Sequence, residues 1–202
     1  MKLNELLLSE LDREIPRSRR ALEQVPAGKY DWKPHDKSMI FGYLANMVAT
    51  MPSWIQMGIT MNELDVAPAS GSSMKQEKLE TSDSLVKALD KTGAAARTAL
   101  TGAADDFLMT PWRLLARGQV VMETPRWVMI QDTLNHWAHH RGQMTVYLRL
   151  MGAWGLHAVI ATILGVFVSV LLGCGLFALA FFSDKSGHDA DVSGTTSRRE
   201  DR

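Results

Sequence analysis

A chain of 202 residues with 46% apolar side chains is long enough to bury one core of ordinary size. Its 22 Lys and Arg residues balance 22 Asp and Glu residues, which argues against the basic footprint of a nucleic-acid binder. The single cysteine, Cys174, excludes an intrachain disulfide framework. No signal peptide is expected, because Lys2, Glu5, Glu10, Asp12 and Arg13 interrupt any apolar run at the start.

The first predicted element is a helix. Leu7, Leu11, Ile15, Ser18, Leu22 and Val25 recur at helical spacing, Glu10, Arg13, Arg17 and Arg20 fall largely off that stripe, and Pro16 is expected to kink it. The run from Pro26 to Lys37, rich in Pro, Gly and charge, forms a connection in which Trp32 is expected to act as a packed lid and from which His35 reaches inward only if the loop folds over the bundle mouth. Ser38 is placed to cap a second helix with an apolar face of Ile40, Leu44, Met47 and Met51. Asn62 to Thr81 reads as a polar, mobile connector.

A third helix starts at Ser82 or Asp83 and is carried by Leu85, Ala88, Leu89, Ala96 and Leu100, with Gly93 as a weak point and Ala94 to Ala96 signalling close packing. Alternation about Arg117-Gly118 predicts a short hairpin or irregular cover over Phe107 to Glu123. Thr124 and Pro125 then supply a cap and a first position for the last of these helices.

That helix carries the chemistry. Asp132 to Gly152 reads DTLNHWAHHRGQMTVYLRLMG, and His136 and His140, four apart, point the same way and are able to hold one divalent metal such as zinc or nickel between them. His139 lies about 60° aside, and Asp132 is about 12 Å from His140 along the axis, so a third ligand must come from elsewhere. The alternative is a pair of histidines hydrogen-bonded within the protein or facing solvent. Gln143 and Tyr147 continue the same face and are placed to orient a substrate.

NHWAHHRGQMTVYLRLMG, together with WKPHDKSM (Trp32 to Met39), LANMVATMPSW (Leu44 to Trp54) and PRWVMIQDTLNH (Pro125 to His136), resembles the DinB-like (damage-inducible, YfiT-related) metalloenzyme superfamily over roughly residues 1–153. The resemblance implies a four-helix bundle, commonly a homodimer, with a metal held by one histidine of the second helix and two of an HxxxH on the last. It also implies thiol-dependent transfer to a small electrophile. Members similar to this chain read LAxHVA where this chain reads Leu44-Ala45-Asn46-Met47-Val48-Ala49, so the third histidine is replaced by Met47, a soft thioether poorly suited to zinc or nickel. Arg141 and Gly142, in the family's Arg-Gly-Gln, are read as structural, the former pairing with an acid and the latter permitting a close helix approach.

Leu156 to Phe182 contains no Asp, Glu, Lys or Arg and would span about 40 Å as a helix, more than a hydrocarbon core of about 30 Å. A transmembrane helix over 154–183 is therefore expected, with His157 near one interface. Ala161, Gly165, Ser169 and Gly173 form a small-residue ridge along it. Residues 184–202 form a polar tail expected to be disordered. The whole is expected to be an all-α, single-pass membrane protein with a cytoplasmic bundle. Two functions fit it: a metal-dependent, thiol-transferase-like enzyme, or a non-catalytic binding or scaffolding bundle whose metal site is lost at Met47.

Overall fold

The structure, a computed structural model, describes residues 2–69, 71, 77–152 and 156–186. The chain divides into two compact units, 1–153 and 154–202.

In the first unit, α1 (Leu3–Leu22), α4 (Ser82–Thr101), α6 (Arg126–Leu150) and the consecutive pair α2 (Phe41–Thr50) and α3 (Pro52–Thr60) pack as a bundle. Leu7, Leu11, Leu44, Ile55, Leu89, Leu100 and Trp137 are fully buried at its centre. Pro16 lies within α1.

The second bundle helix is broken, which sequence spacing did not anticipate. Pro52 has no N–H to give the Val48 carbonyl four residues back, so the helix restarts after Met51. The exposed acceptor is taken up from across the core: the Trp137 indole N–H donates to Val48 O at 2.8 Å, and Thr92 Oγ1 donates to the neighbouring Ala49 O at 3.0 Å. A buried carbonyl needs such a partner. Two helices are thereby docked on the break.

Nor does Ser38 cap α2. The position before the helix is Ile40, and the first amides are met by loop carbonyls instead: Phe41 N–H donates to Trp32 O at 2.8 Å and Gly42 N–H to Tyr30 O at 2.7 Å. The ring of Tyr30 sits so close that a Cβ on residue 42 would lie 2.2 Å from it. At α4 the expected start holds, with Thr81 as the cap and its Oγ1 accepting from Ser84 N–H at 3.1 Å. Gly93 has a packing reason, since a Cβ there would meet Ile15 of α1 at 3.0 Å.

The predicted hairpin is present, β2 (Pro111–Ala116) against β3 (Gln119–Pro125), with Arg117 and Gly118 both at positive φ in the turn. It is not an isolated cover. Glu63–Asp65, within the expected polar connector, forms β1 and pairs in parallel with β2, giving a three-stranded sheet in the order β1-β2-β3. The Asp65 carboxylate accepts N–H bonds from Ala67, Arg117 and Gly118, the last at 2.7 Å, so β1 clamps the hairpin turn. β3 runs on to Pro125, and α6 opens at Arg126 without a Thr124 cap. A four-residue helix, α5 (Asp105–Leu108), precedes β2 and offers the Asp105 carboxylate to the first amides of α1, Leu3 N at 3.0 Å. Among the described residues the fold is thus mostly helical, seven helices with one small sheet, rather than all-α.

In the second unit α7 runs Leu156–Ser186. Among the described residues no helix is long and apolar enough to cross a membrane. The transmembrane helix expected over 154–183, and the single-pass location inferred from it, are corrected accordingly. Within the ridge, Ser169 Oγ donates back to Gly165 O at 2.8 Å. The side chain of His157 and residues 187–202 of the expected tail lie outside the described residues.

Candidate functional site

Helix α6 is placed at its N-terminal end by Arg126, a cation 2% exposed with no carboxylate against it among the described residues. Its guanidinium donates to Gly58 O at 2.6 Å, Met61 O at 2.7 Å, Asn62 Oδ1 and Thr110 Oγ1, and lies 4.5 Å from the centre of the Phe107 ring. The carbonyls are those left over at the C-terminal end of α3, so one side chain ties α3, the strand connections and α6 together. Burial pulls its pKa below the usual arginine value. Sequence reading missed this residue, because nothing in its neighbours marks an arginine as buried.

About three to five turns on, the expected residues come together. His136 Nε2 and His140 Nε2 lie 3.0 Å apart, with the rings nearly perpendicular at 83°. His140 is buried and its Nδ1 is 2.8 Å from Gln143 Oε1. A carbonyl-type oxygen accepts, so Nδ1 of His140 carries the proton and its Nε2 the lone pair. In the neutral pair, His136 then donates through Nε2 and keeps Nδ1 as an acceptor. His136 is exposed overall, but partial burial against its neighbours, followed by the nearby His140 and His139, lowers its pKa below 6.5. Trp54 lies nearly parallel to its ring, 18° between planes and 6.2 Å between centres.

Except for His139, whose ring centre lies 5.3 Å from that of His140, the other expected residues separate from this pair. Tyr147 meets Trp32 edge to face at 5.7 Å, so the lid closes on Tyr147. His139 is exposed. His35 is also exposed, its Nδ1 accepting the Lys37 N–H within the loop. Asn46 is buried in a structural role, bonded to Gly42 O and to both backbone groups of Leu79. Met47 is half-buried against the core. Arg141 pairs with an acid as expected, namely Glu14 of α1 at 2.9 Å. A Cβ at Gly142, by contrast, would meet only open space, so no close helix approach requires that glycine.

A cavity of about 400 Å³ opens beside His136, between α3, the sheet and α6. Its walls include Trp54, Met57, Leu64, Trp112, Leu114 and Met129, with Asp132, Thr133 and His136 as the polar edge. Apart from His136 and Asp132, this lining escaped sequence reading, because it is assembled from β1, β2 and β3 as well as two helices.

Whether the pair suits the metal that the resemblance implies is a matter of donors. Two imidazole nitrogens each about 2.0–2.1 Å from one ion at cis angles lie about 3 Å apart, and Gln143 holds His140 in the ligand tautomer. A catalytic centre needs a third protein donor. Among the described residues no group of three His, Cys, Asp or Glu side chains converges on one point. The residues fit two-thirds of a centre and not a whole one.

Comparison with known proteins agrees with the architecture. The chain resembles a DinB-like protein from Bacillus cereus (TM-score 0.58, 19% identity, covering 75% of this chain and 96% of that one). It also resembles a DinB-like protein from Bacillus subtilis (0.55, 17%, 73% and 92%) and a candidate member of the DinB family from Exiguobacterium sibiricum (0.56, 15%, 75% and 93%). At these identities the likeness is one of fold. No curated protein matches the chain. The model of the DinB family matches residues 1–157, and with the bundle and the paired histidines of α6 already in view, the chain belongs to the DinB family.

Proposed function

We propose that the protein binds a small, mainly apolar molecule in the cavity between α3, the sheet and α6, and that the His136–His140–Gln143 chain accepts a hydrogen bond or proton from it. The observation that carries this reading is the place of His136: the imidazole of a hydrogen-bonded pair forms part of the wall of a pocket made mainly of Trp, Met, Leu and Val side chains, with Asp132 and Thr133 beside it on α6. Concave, mostly apolar sites with a few convergent polar groups are the usual form of small-molecule sites. A thiol suits this wall as the donor, being apolar in body with one weakly held proton. The non-catalytic form of the reading requires only binding.

The test uses the full chain and a matched pair of probes, 2-naphthalenethiol and 2-ethylnaphthalene, followed by quenching of tryptophan fluorescence, since Trp54 and Trp112 both line the pocket. Saturable quenching by both is expected, with preference for the thiol that disappears in His136→Ala. Absence of saturable quenching by either would remove the pocket from consideration.

A second reading has its own observation, the 3.0 Å spacing of the two Nε2 atoms, which supports zinc or nickel held by His136 and His140 with the remaining positions filled by solvent or a thiol substrate. Metal analysis of purified protein separates the two. Stoichiometric zinc or nickel, lost in His140→Ala, favours the second reading; a trace unchanged by that substitution favours the first.

A further inference from the structure

A different cavity, of about 490 Å³, lies between α1 and the C-terminal half of α6 and shares no lining residue with the apolar pocket. Arg17, Arg20, Arg141 and Arg149 surround it, with Gln24 and Thr145 between them, and no acidic side chain is part of the lining. In a chain whose formal charge is zero, four guanidiniums around one concavity is a local excess that must be held against mutual repulsion.

Glu14 does the holding for two of them. It is only 6% exposed, and it accepts from Arg17 Nη1 at 2.6 Å and from Arg141 Nε at 3.0 Å, with Arg141 Nη2 2.9 Å from the same oxygen. One carboxylate thus fixes two forks and neutralises one charge. Arg20 is exposed and has no acidic partner among the described residues. The negative ends of helices account for cations in a last turn, here Arg20 and Arg149. Arg17 and Arg141 lie earlier in their helices, outside that effect, and it is these that Glu14 orders. Arginine forks fixed in advance match the geometry of phosphate and other oxyanions and lose little freedom on binding them.

We propose that this cleft is a binding site for a phosphate-bearing small molecule, with Arg17, Arg20 and Arg141 as its recognition groups. The volume is that of a small-molecule site.

Isothermal titration of the full chain with inorganic pyrophosphate, in potassium chloride adjusted to constant ionic strength, tests it. Saturable one-to-one binding is expected, weakened at least tenfold in Arg17→Gln/Arg20→Gln. The control is Arg13→Gln/Arg97→Gln, which makes the same change of charge at residues paired with Glu10 and Asp12 away from the cleft; it should bind as the parent does. Should loss of Arg17 unfold the chain, Arg20→Glu at an exposed position replaces the double variant and should abolish binding. No saturable binding by the parent, or equal weakening in the two double variants, overturns the proposal.

Discussion

The start and the middle of α6 handle polar groups in opposite ways. At Arg126 a buried cation meets two backbone carbonyls, an amide oxygen, a hydroxyl and a ring face. At His136 and His140 two imidazoles satisfy each other and Gln143, and the ring at the pocket still has an acceptor to offer. The difference teaches where to look for function. A polar group whose bonds are all made within the fold holds the fold, and one left with a bond to make beside a cavity is available to a ligand.

Breaking the saturated end should cost most. Arg126→Met leaves the Gly58 and Met61 carbonyls without their donor, and with about 1–3 kcal/mol for each unsatisfied buried acceptor, a loss of about 3 kcal/mol or more is expected in urea unfolding. Trp137→Phe removes the N–H that meets Val48 O at the Pro52 break and should cost about 2 kcal/mol. A loss below about 0.5 kcal/mol would mean that the carbonyl finds another partner.

At the unsaturated histidine pair the effect should be a gain. Met47→His places an imidazole where the family resemblance expects the third ligand, and calorimetric zinc binding at least tenfold tighter than in the parent is expected, lost again when His140→Ala is added. Unchanged affinity would show that residue 47 does not reach the pair.

The smallest effect concerns Asp65, the carboxylate between Leu64 and Val66 of the pocket wall. Its folded pKa is lowered, first by the Ala67 N–H and also by the N–H groups of Gly118 and Arg117. A depressed carboxyl contributes stability that is present above the unfolded value of about 3.8 and is lost as pH falls through the folded one. Asp65→Asn should therefore narrow the stability difference between pH 5 and pH 2.5, measured by thermal melts, and leave the Arg126 contribution unchanged.

Much of the helical frame was legible beforehand, because apolar residues spaced three and four apart report burial wherever a helix packs on one side. The HxxxH pair was legible for the same reason, four residues being one turn. The hairpin turn was visible in Arg117-Gly118, which tolerate positive φ when strands twist back. The partner strand was not, since three residues inside a polar connector carry no periodicity to read. Leu156 to Phe182 misled in another way. Composition reports how apolar a run is, but a span needs a helix that is both long and apolar enough, and among the described residues there is none.

What the chain's order of residues determined alone was local: where helices run, which way two imidazoles face, where a turn at Arg117-Gly118 reverses the chain. Only the tertiary structure decided which groups are left with a bond to make. That depends on partners far apart in sequence, Val48 with Trp137, Glu14 with Arg141, Arg126 with Gly58. A residue's neighbours in the chain set its direction, but its neighbours in space set its hydration, its charge balance and therefore its chemistry.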